Sequence, residues 1–398
     1  MLNPATDDVP SGGARPPDLF GFPNRIRFGQ GARRCLAAEL ERSGIRRPLV
    51  VTDPGVRAAG LVELVLEHRG ERDLPPLFDG VTAEPGEREV EHARAAYLDA
   101  GCDGLIGLGG GAALDVAKAA RLLIHHPGPL DQYALTLGGE PLITPKSPPL
   151  VAIPTTAGTG SEAARGAIIH LKRTGRKTLI ASEFLFPTVA LCDPDLTRSC
   201  PPWLTAACGM DALTHAIEAF CSPRFHPLCD AVALEAIRWL RKGLETAVAD
   251  GGHDEARRDV MLGALLGGIA FQKGLGAVHS LAHALGSVAP LHHGTLNAIL
   301  LPHVLRFNAR GAPQRLAELA DRMRLGRGDD GVHHLVTLVE LVLERLPLPR
   351  RLGELANRGL QRSMIPHVVE LALADHCHLT NPCPLSPEDF VTLLDVAW

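Results

Sequence analysis

Asp211, His215, His279 and His293 lie in three short apolar segments, and their residue types are those that hold a divalent metal ion. Asp211 and His215 fall at i and i+4 in Gly-Met-Asp-Ala-Leu-Thr-His-Ala-Ile-Glu. On a helix both side chains leave one face and reach one ion. His279 and His283 repeat that spacing, and His293 precedes Gly294 at the start of a third apolar run. One carboxylate with three imidazoles suits Fe2+ or Zn2+ and is too rich in nitrogen for Mg2+ or Ca2+. Standing alone, each pair would read as a surface pair or a satisfied core polar group. Buried together without a shared partner, such groups would cost on the order of 1 to 3 kcal/mol each, and a common ion removes that cost.

The first half carries the complementary chemistry. A strand-like Cys102–Leu108 runs into Gly109-Gly110-Gly111 and then a helical stretch through Asp115 and Lys118. Backbone N–H groups at such a helix start cradle a pyrophosphate, although many glycine turns only connect elements. A second loop, Pro154-Thr155-Thr156-Ala157-Gly158-Thr159-Gly160-Ser161-Glu162, follows the apolar strand Leu150–Ile153. Its hydroxyls and N–H groups suit phosphate or ribose; it reads equally as a Thr-rich turn capping a helix. Asp53 ends the strand Leu49–Thr52. An acid there accepts from an adenosine ribose and repels a 2′-phosphate, favouring NAD over NADP. Here it precedes the glycines, whereas the usual fingerprint acid follows them, and Asp53-Pro54 is also a good turn initiator.

The elements that must position these residues change character near Pro201-Pro202. Before it, short β-branched runs alternate with helical stretches such as Arg88–Ala100 and Leu114–His125, the pattern of a parallel sheet flanked by helices. After it come amphipathic helices: Ala231–Val248, Arg257–Phe271, Leu335–Leu346, Ile365–His376 and Pro387–Ala397. The expected organisation is an extension at 1–23, an α/β NAD-binding domain at 24–200 and an all-helical metal-binding domain at 201–398. The site lies in the cleft between the two domains. A net charge of −5 without basic runs gives no sign of nucleic-acid or anionic-membrane binding. Nine cysteines without CxxC spacing read as free thiols of a cytoplasmic protein. No apolar run is long enough for a bilayer.

From Phe22-Pro23-Asn24-Arg25 to Asp395-Val396-Ala397-Trp398, the chain resembles the iron-dependent (group III) alcohol dehydrogenases. The glycine turn with Asp115 and Lys118, the loop 154–162, Asp193-Pro194-Asp195-Leu196-Thr197, Gly209–His215, His279–His283, and His293-Gly294 with Asn297-Ala298 carry the likeness. The resemblance implies a dehydroquinate synthase-like architecture, with Asp211, His215, His279 and His293 as metal ligands and His283 as the non-ligand histidine near the substrate. Gly109, Gly110, Gly111, Asp115, Thr155, Thr156, Thr159 and Lys177 fall where that family holds NAD, and Asp53 takes the ribose. A homodimer is expected. Two positions depart from the pattern: Ala112 stands where Ser is common, and Glu84-Pro85-Gly86-Glu87 where Asn-Pro-Thr is common.

Within the family, the stretches 160–169, 271–276, 291–298 and 375–382 look most like 4-hydroxybutyrate dehydrogenases. Arg165 and Lys273 are cations in small or apolar text, where each needs a partner. A substrate carboxylate is one; an internal salt bridge, for example to Glu162, is the other. The expected reaction is NAD-linked oxidation of a short hydroxy acid such as 4-hydroxybutyrate to the semialdehyde. The metal would act as a Lewis acid, and His283 would pass a proton toward solvent, with His292 a packing residue or helper. Alternatives are a neutral short alcohol, lactaldehyde or 1,2-diol, or an aldehyde bearing a phosphonate or sulfonate. From other classes come a metal- and NAD-dependent cyclase and a non-catalytic scaffold.

Overall fold

Among the described residues eight short runs form strands: β1 (Arg25–Phe28), β2 (Pro48–Val51), β3 (Leu77–Phe78), β4 (Gly104–Gly109), β5 (Leu150–Pro154), β6 (Gly166–Leu171), β7 (Arg176–Ala181) and β8 (Val189–Cys192). The computed structural model describes residues 24–173 and 175–398, so the expected extension at 1–23 lies outside the described residues. Six strands make one parallel sheet in the order β1-β8-β5-β4-β2-β3, and β6 and β7 pair as an antiparallel hairpin. β2, β4, β5 and β8 are buried at every residue, as befits parallel strands covered on both faces.

Five helices accompany the sheet: α1 (Leu36–Arg42), α2 (Pro54–Ala58), α3 (Leu61–Leu66), α4 (Glu87–Asp99) and α5 (Gly111–His125). Leu49, Val51 and Leu105 point to the face packed by α4 and α5; Val50, Ile106 and Leu108 point to the face packed by α1 and α3. This alternation follows from the two-residue period of a strand. α5 lies so close to β4 that a β-carbon on Gly107 would come 3.1 Å from Ala117 Cβ.

From Pro202 onward the described chain is helical: α6 (Pro202–Cys221), α7 (Pro227–Ala249), α8 (Asp254–Ala270), α9 (Ala277–Val288), α10 (His293–Gly311), α11 (Pro313–Arg322), α12 (Gly328–Arg345), α13 (Ile365–Leu373) and α14 (Pro387–Ala397). Their apolar faces share one large core, as the expected α/β-then-helical class requires. Among the described residues no single helix is long and apolar enough to cross a membrane.

Several elements depart from the sequence expectation: α7, α8 and α12 begin earlier than read, at Pro227, Asp254 and Gly328. α5 starts at Gly111, earlier than Leu114, because the last glycine enters the first helical turn. α13 stops at Leu373, short of His376, and Asp375 Oδ1 instead accepts the Cys377 N–H at 2.8 Å in a separate turn. The β6–β7 hairpin was not expected, although its burial alternates strictly along β6. The sheet and the helices also meet backbone to backbone. A β-carbon on Gly160, which has φ +63°, would lie 2.4 Å from Gly268 Cα in α8, and one on Gly268 would lie 2.6 Å from Gly160 Cα.

Candidate active site

α6 is buried from Thr205 to Cys221, so its polar side chains must find partners inside the protein. Asp211, His215 and Glu218 lie at i, i+4 and i+7, on one face. α10 begins at His293 hard against α6: a β-carbon on Gly294 would meet the Ala207 carbonyl oxygen at 2.2 Å, so only glycine allows this approach. α9 begins beneath Glu218, whose oxygens accept the Gly276 N–H at 2.9 Å and the Val278 N–H at 2.8 Å.

Three helices thus bring four donors to one point. Asp211 Oδ1 lies 3.7 Å from His215 Nε2, 3.7 Å from His279 Nε2 and 3.5 Å from His293 Nε2. These distances are too long for direct hydrogen bonds. Two ligand atoms each about 2.1 Å from a tetrahedral ion stand about 3.4 Å apart; Asp211, His215 and His279 each offer an atom within 4.8 Å of the others, and His293 Nε2 joins them at 3.5 Å from Asp211 Oδ1. His279 Nδ1 faces Glu218 Oε2 at 2.6 Å, which turns Nε2 inward. Asn297, one turn beyond His293, points its Nδ2 at the same centre, 2.7 Å from Asp211 Oδ1.

Burial pushes His215 down to about 4 and His293 well below the usual histidine range, so both present free lone pairs at neutral pH. Burial also opposes charge on His279, but the Glu218 and Asp211 carboxylates outweigh it and raise that imidazole to about 9. Burial disfavours a charged Asp211, yet the surrounding imidazoles hold its carboxyl below the usual range. The two carboxylates draw a proton onto His279, and a divalent cation would take that proton's place.

His283, one turn after His279, stacks on His293 with ring centroids 5.2 Å apart. Its Nδ1 donates to Asp375 Oδ2 at 3.0 Å, and Asp375 Oδ1 accepts from Ser280 Oγ at 2.8 Å. Burial would raise the Asp375 carboxyl, but His283 outweighs it and keeps it ionised. With Nδ1 committed, Nε2 is the nitrogen left to exchange a proton. His292 packs edge-on against Trp203, with centroids 5.5 Å apart.

The sheet contributes the other wall. A β-carbon on Gly111 would lie 2.6 Å from Thr159 Cγ2, and one on Gly110 would lie 3.3 Å from Thr156 Oγ1, so the glycine turn and the threonine loop face each other. Thr155 N donates to Gly109 O at 3.0 Å. Asp53 caps α2, its Oδ1 accepting from Gly55 N at 2.9 Å and Val56 N at 3.0 Å. Its Oδ2 faces Gly109, where an added β-carbon would lie 3.1 Å away. All these groups gather at the carboxyl ends of β2, β4 and β5, where open α/β sheets take nucleotides. Asp115 instead turns to the protein: Oδ1 accepts from Ser161 Oγ at 2.6 Å and Oδ2 from Ile168 N at 2.9 Å. It ties the threonine loop and β6 to α5.

Lys177, on β7, pairs with Glu84 Oε2 at 2.5 Å and reaches α9, where a β-carbon on Gly286 would lie 3.2 Å from Nζ. The acid at the departure from Asn-Pro-Thr therefore answers this lysine. Lys273 departs from the substrate role expected for it. It is 2% exposed, with Nζ held by Asp230 Oδ1 at 2.5 Å and the Phe220 carbonyl at 3.0 Å. The internal salt bridge takes this cation, with Asp230 and not Glu162 as partner. Arg165 is half-exposed and touches Glu140 Oε1 at 3.3 Å. Arg224, in the loop after α6, lies within Coulombic reach of Arg165 and of His376.

Sequence reasoning gave no site role to Glu218 or Arg224, nor to Asn297 and Asp375, which it took only as parts of motifs. Glu218 carries a signal, the i+7 position on the ligand face. Asp375 pairs with a residue 92 positions away, and local spacing gives no hint of it.

Known proteins resemble this chain in sequence and fold. The pattern described as iron-containing alcohol dehydrogenase matches residues 23–194, and that of the Fe-containing alcohol dehydrogenase family, C-terminal, matches residues 205–398. A 4-hydroxybutyrate dehydrogenase from Cupriavidus necator is 44% identical over 380 residues, covering 93% of this chain and 97% of that one. The crystal structure of a 1,3-propanediol oxidoreductase superposes with a TM-score of 0.90 at 34% identity, over 96% of this chain and 100% of that one. That of a sulfoacetaldehyde reductase from Bifidobacterium kashiwanohense in complex with NAD+ superposes with a TM-score of 0.85 at 27% identity, over 95% and 98%.

Proposed function

The chain belongs to the iron-containing alcohol dehydrogenase family, an oxidoreductase acting on CH–OH, and from that premise we propose that it interconverts a short hydroxy acid such as 4-hydroxybutyrate with its semialdehyde. The observation that carries the chemistry is the set of three imidazole Nε2 atoms at 3.5–3.7 Å around Asp211 Oδ1. Asp211, His215, His279 and His293 would hold a divalent metal, Fe2+ first. When bound, that ion supplies Lewis acidity to the alcohol oxygen and NAD supplies the hydride acceptor.

The chain's own groups do the rest. Asp53, Gly109, Gly110, Gly111, Thr155, Thr156, Thr159 and Lys177 hold and orient the dinucleotide. Asp375 fixes the His283 tautomer, and His283 Nε2 takes the proton released as the alcohol becomes an aldehyde. Arg165 holds the substrate carboxylate. The 44% identical relative supports an acid substrate, and so does the setting of Arg165. Arg165 and Arg224 repel each other, and among the described residues Glu140 is the carboxylate that touches Arg165. A sulfonate-bearing aldehyde suits the same cations, a second reading favoured by the likeness to sulfoacetaldehyde reductase.

The test is turnover of 4-hydroxybutyrate against 1-butanol by wild type and Arg165→Ala. A charge-assisted contact in a partly desolvated cleft is worth about 1.5 to 3 kcal/mol, so kcat/KM for the acid should fall about ten- to a hundredfold. Turnover of 1-butanol should hold. Parallel losses on both alcohols would remove Arg165 from the substrate site.

A further inference from the structure

Asn297 is fully buried, with 0% exposure, yet its amide does not serve helix packing in the usual way. Nδ2 lies 2.7 Å from Asp211 Oδ1, 3.1 Å from His293 Nε2 and 3.3 Å from His279 Nε2. Oδ1 of the same amide is buried without a hydrogen-bond partner. Leaving a buried acceptor unpaired is costly, so the side chain is held in this pose by what its donor end does. Resting on the metal reading above, we propose that Asn297 is a positioning residue of the metal centre: its Nδ2–H fixes the Asp211 oxygen that faces the ion.

The geometry gives the reason. Asp211 is the anionic member of the proposed donor set, and its Oδ1 is the atom at 3.5–3.7 Å from all three imidazole nitrogens. A carboxylate rotates about its last bond, so a rigid donor on one oxygen decides which lone pairs point to the centre. Asn297 is well placed to be rigid. It sits one turn into α10, whose start is locked against α6 by the Gly294–Ala207 contact. The same helix carries His293, so one element sets both a ligand and the hydrogen bond that aims another.

The experiment is Co2+ binding to the full-length protein, read by chelator competition and by the visible d–d bands, in wild type, Asn297→Leu and Asn297→Ser. Wild type should bind one ion with a defined spectrum. Asn297→Leu, of similar volume and without a donor, should bind about ten- to a hundredfold more weakly and show displaced bands, the usual effect of removing a partner of a ligand. Asn297→Ser keeps a shorter hydroxyl and should fall between them; it alone decides the matter if the leucine variant does not fold. Unchanged affinity and superimposable spectra in the folded variants would overturn the proposal and leave Asn297 a packing residue. Failure of wild type to bind Co2+ would instead strike the metal reading itself.

Discussion

Replacing Glu218 by glutamine isolates the link between fold and metal. Three donors converge on the two Glu218 oxygens: His279 Nδ1 at 2.6 Å and Gly276 N at 2.9 Å on Oε2, and Val278 N at 2.8 Å on Oε1. Glutamine keeps its single carbonyl best on the Oε2 side and must turn its NH2 toward the Val278 N–H. A buried donor left facing a donor costs about 1 to 3 kcal/mol, and exchanging a charged for a neutral acceptor of His279 removes about another 1 kcal/mol. The metal-free protein should therefore lose about 2 to 4 kcal/mol in urea unfolding. Separately, an imidazole that has lost its carboxylate partner is a weaker and less well-aimed ligand. Metal affinity should fall about ten- to a hundredfold, or about 1.4 to 2.7 kcal/mol, by competition with a chromophoric chelator. A fall in stability with unchanged metal affinity would refute the argument and leave Glu218 as no more than a cap for α9.

His279→Ala should lose the ion by elemental analysis while still binding NAD in a fluorescence titration, because the dinucleotide groups lie before Cys200; full metal occupancy would take His279 out of the ligand set. Asp53→Asn should narrow the preference for NAD over NADP without weakening α2, since asparagine caps a helix as well as aspartate does. Equal wild-type rates with the two cofactors would show that Asp53 serves the turn alone. Removing the metal by dialysis against a chelator should lower the melting temperature. Ion at a hundred times its Kd contributes about 2.7 kcal/mol to the folded state, and identical melts with and without it would mean that no ion binds there.

Local spacing reveals groups that act within one helix. Asp211 and His215 share a face by the helical period, and the glycine turn before α5 follows directly from an apolar strand and a helix start. Groups that meet across the fold stay hidden. Lys273 carried the same sequence signature as Arg165, a cation in apolar text, but only Asp230, 43 residues away, shows that its charge is spent internally. Asp115 reads as part of a phosphate turn, and its carboxylate goes to Ser161 and Ile168 because the threonine loop folds back over α5. The β6–β7 hairpin was legible in principle from its two-residue burial period, but β6 opens on a glycine and follows a loop rich in small residues.

The contact between Gly160 and Gly268 bears on how the enzyme keeps its aim. Hydride transfer needs the two reacting carbons within about 3 to 3.5 Å, and small errors in that gap are expensive. Where side chains fill a seam, each has rotamers, and every substitution resets the spacing by a fraction of an ångström. Two α-carbons in van der Waals contact have no such freedom. The spacing between the threonine loop and α8, and with it that between the proposed dinucleotide and metal sites, is set at this point by atomic radii. A single methyl group at either glycine would wedge the two backbones apart.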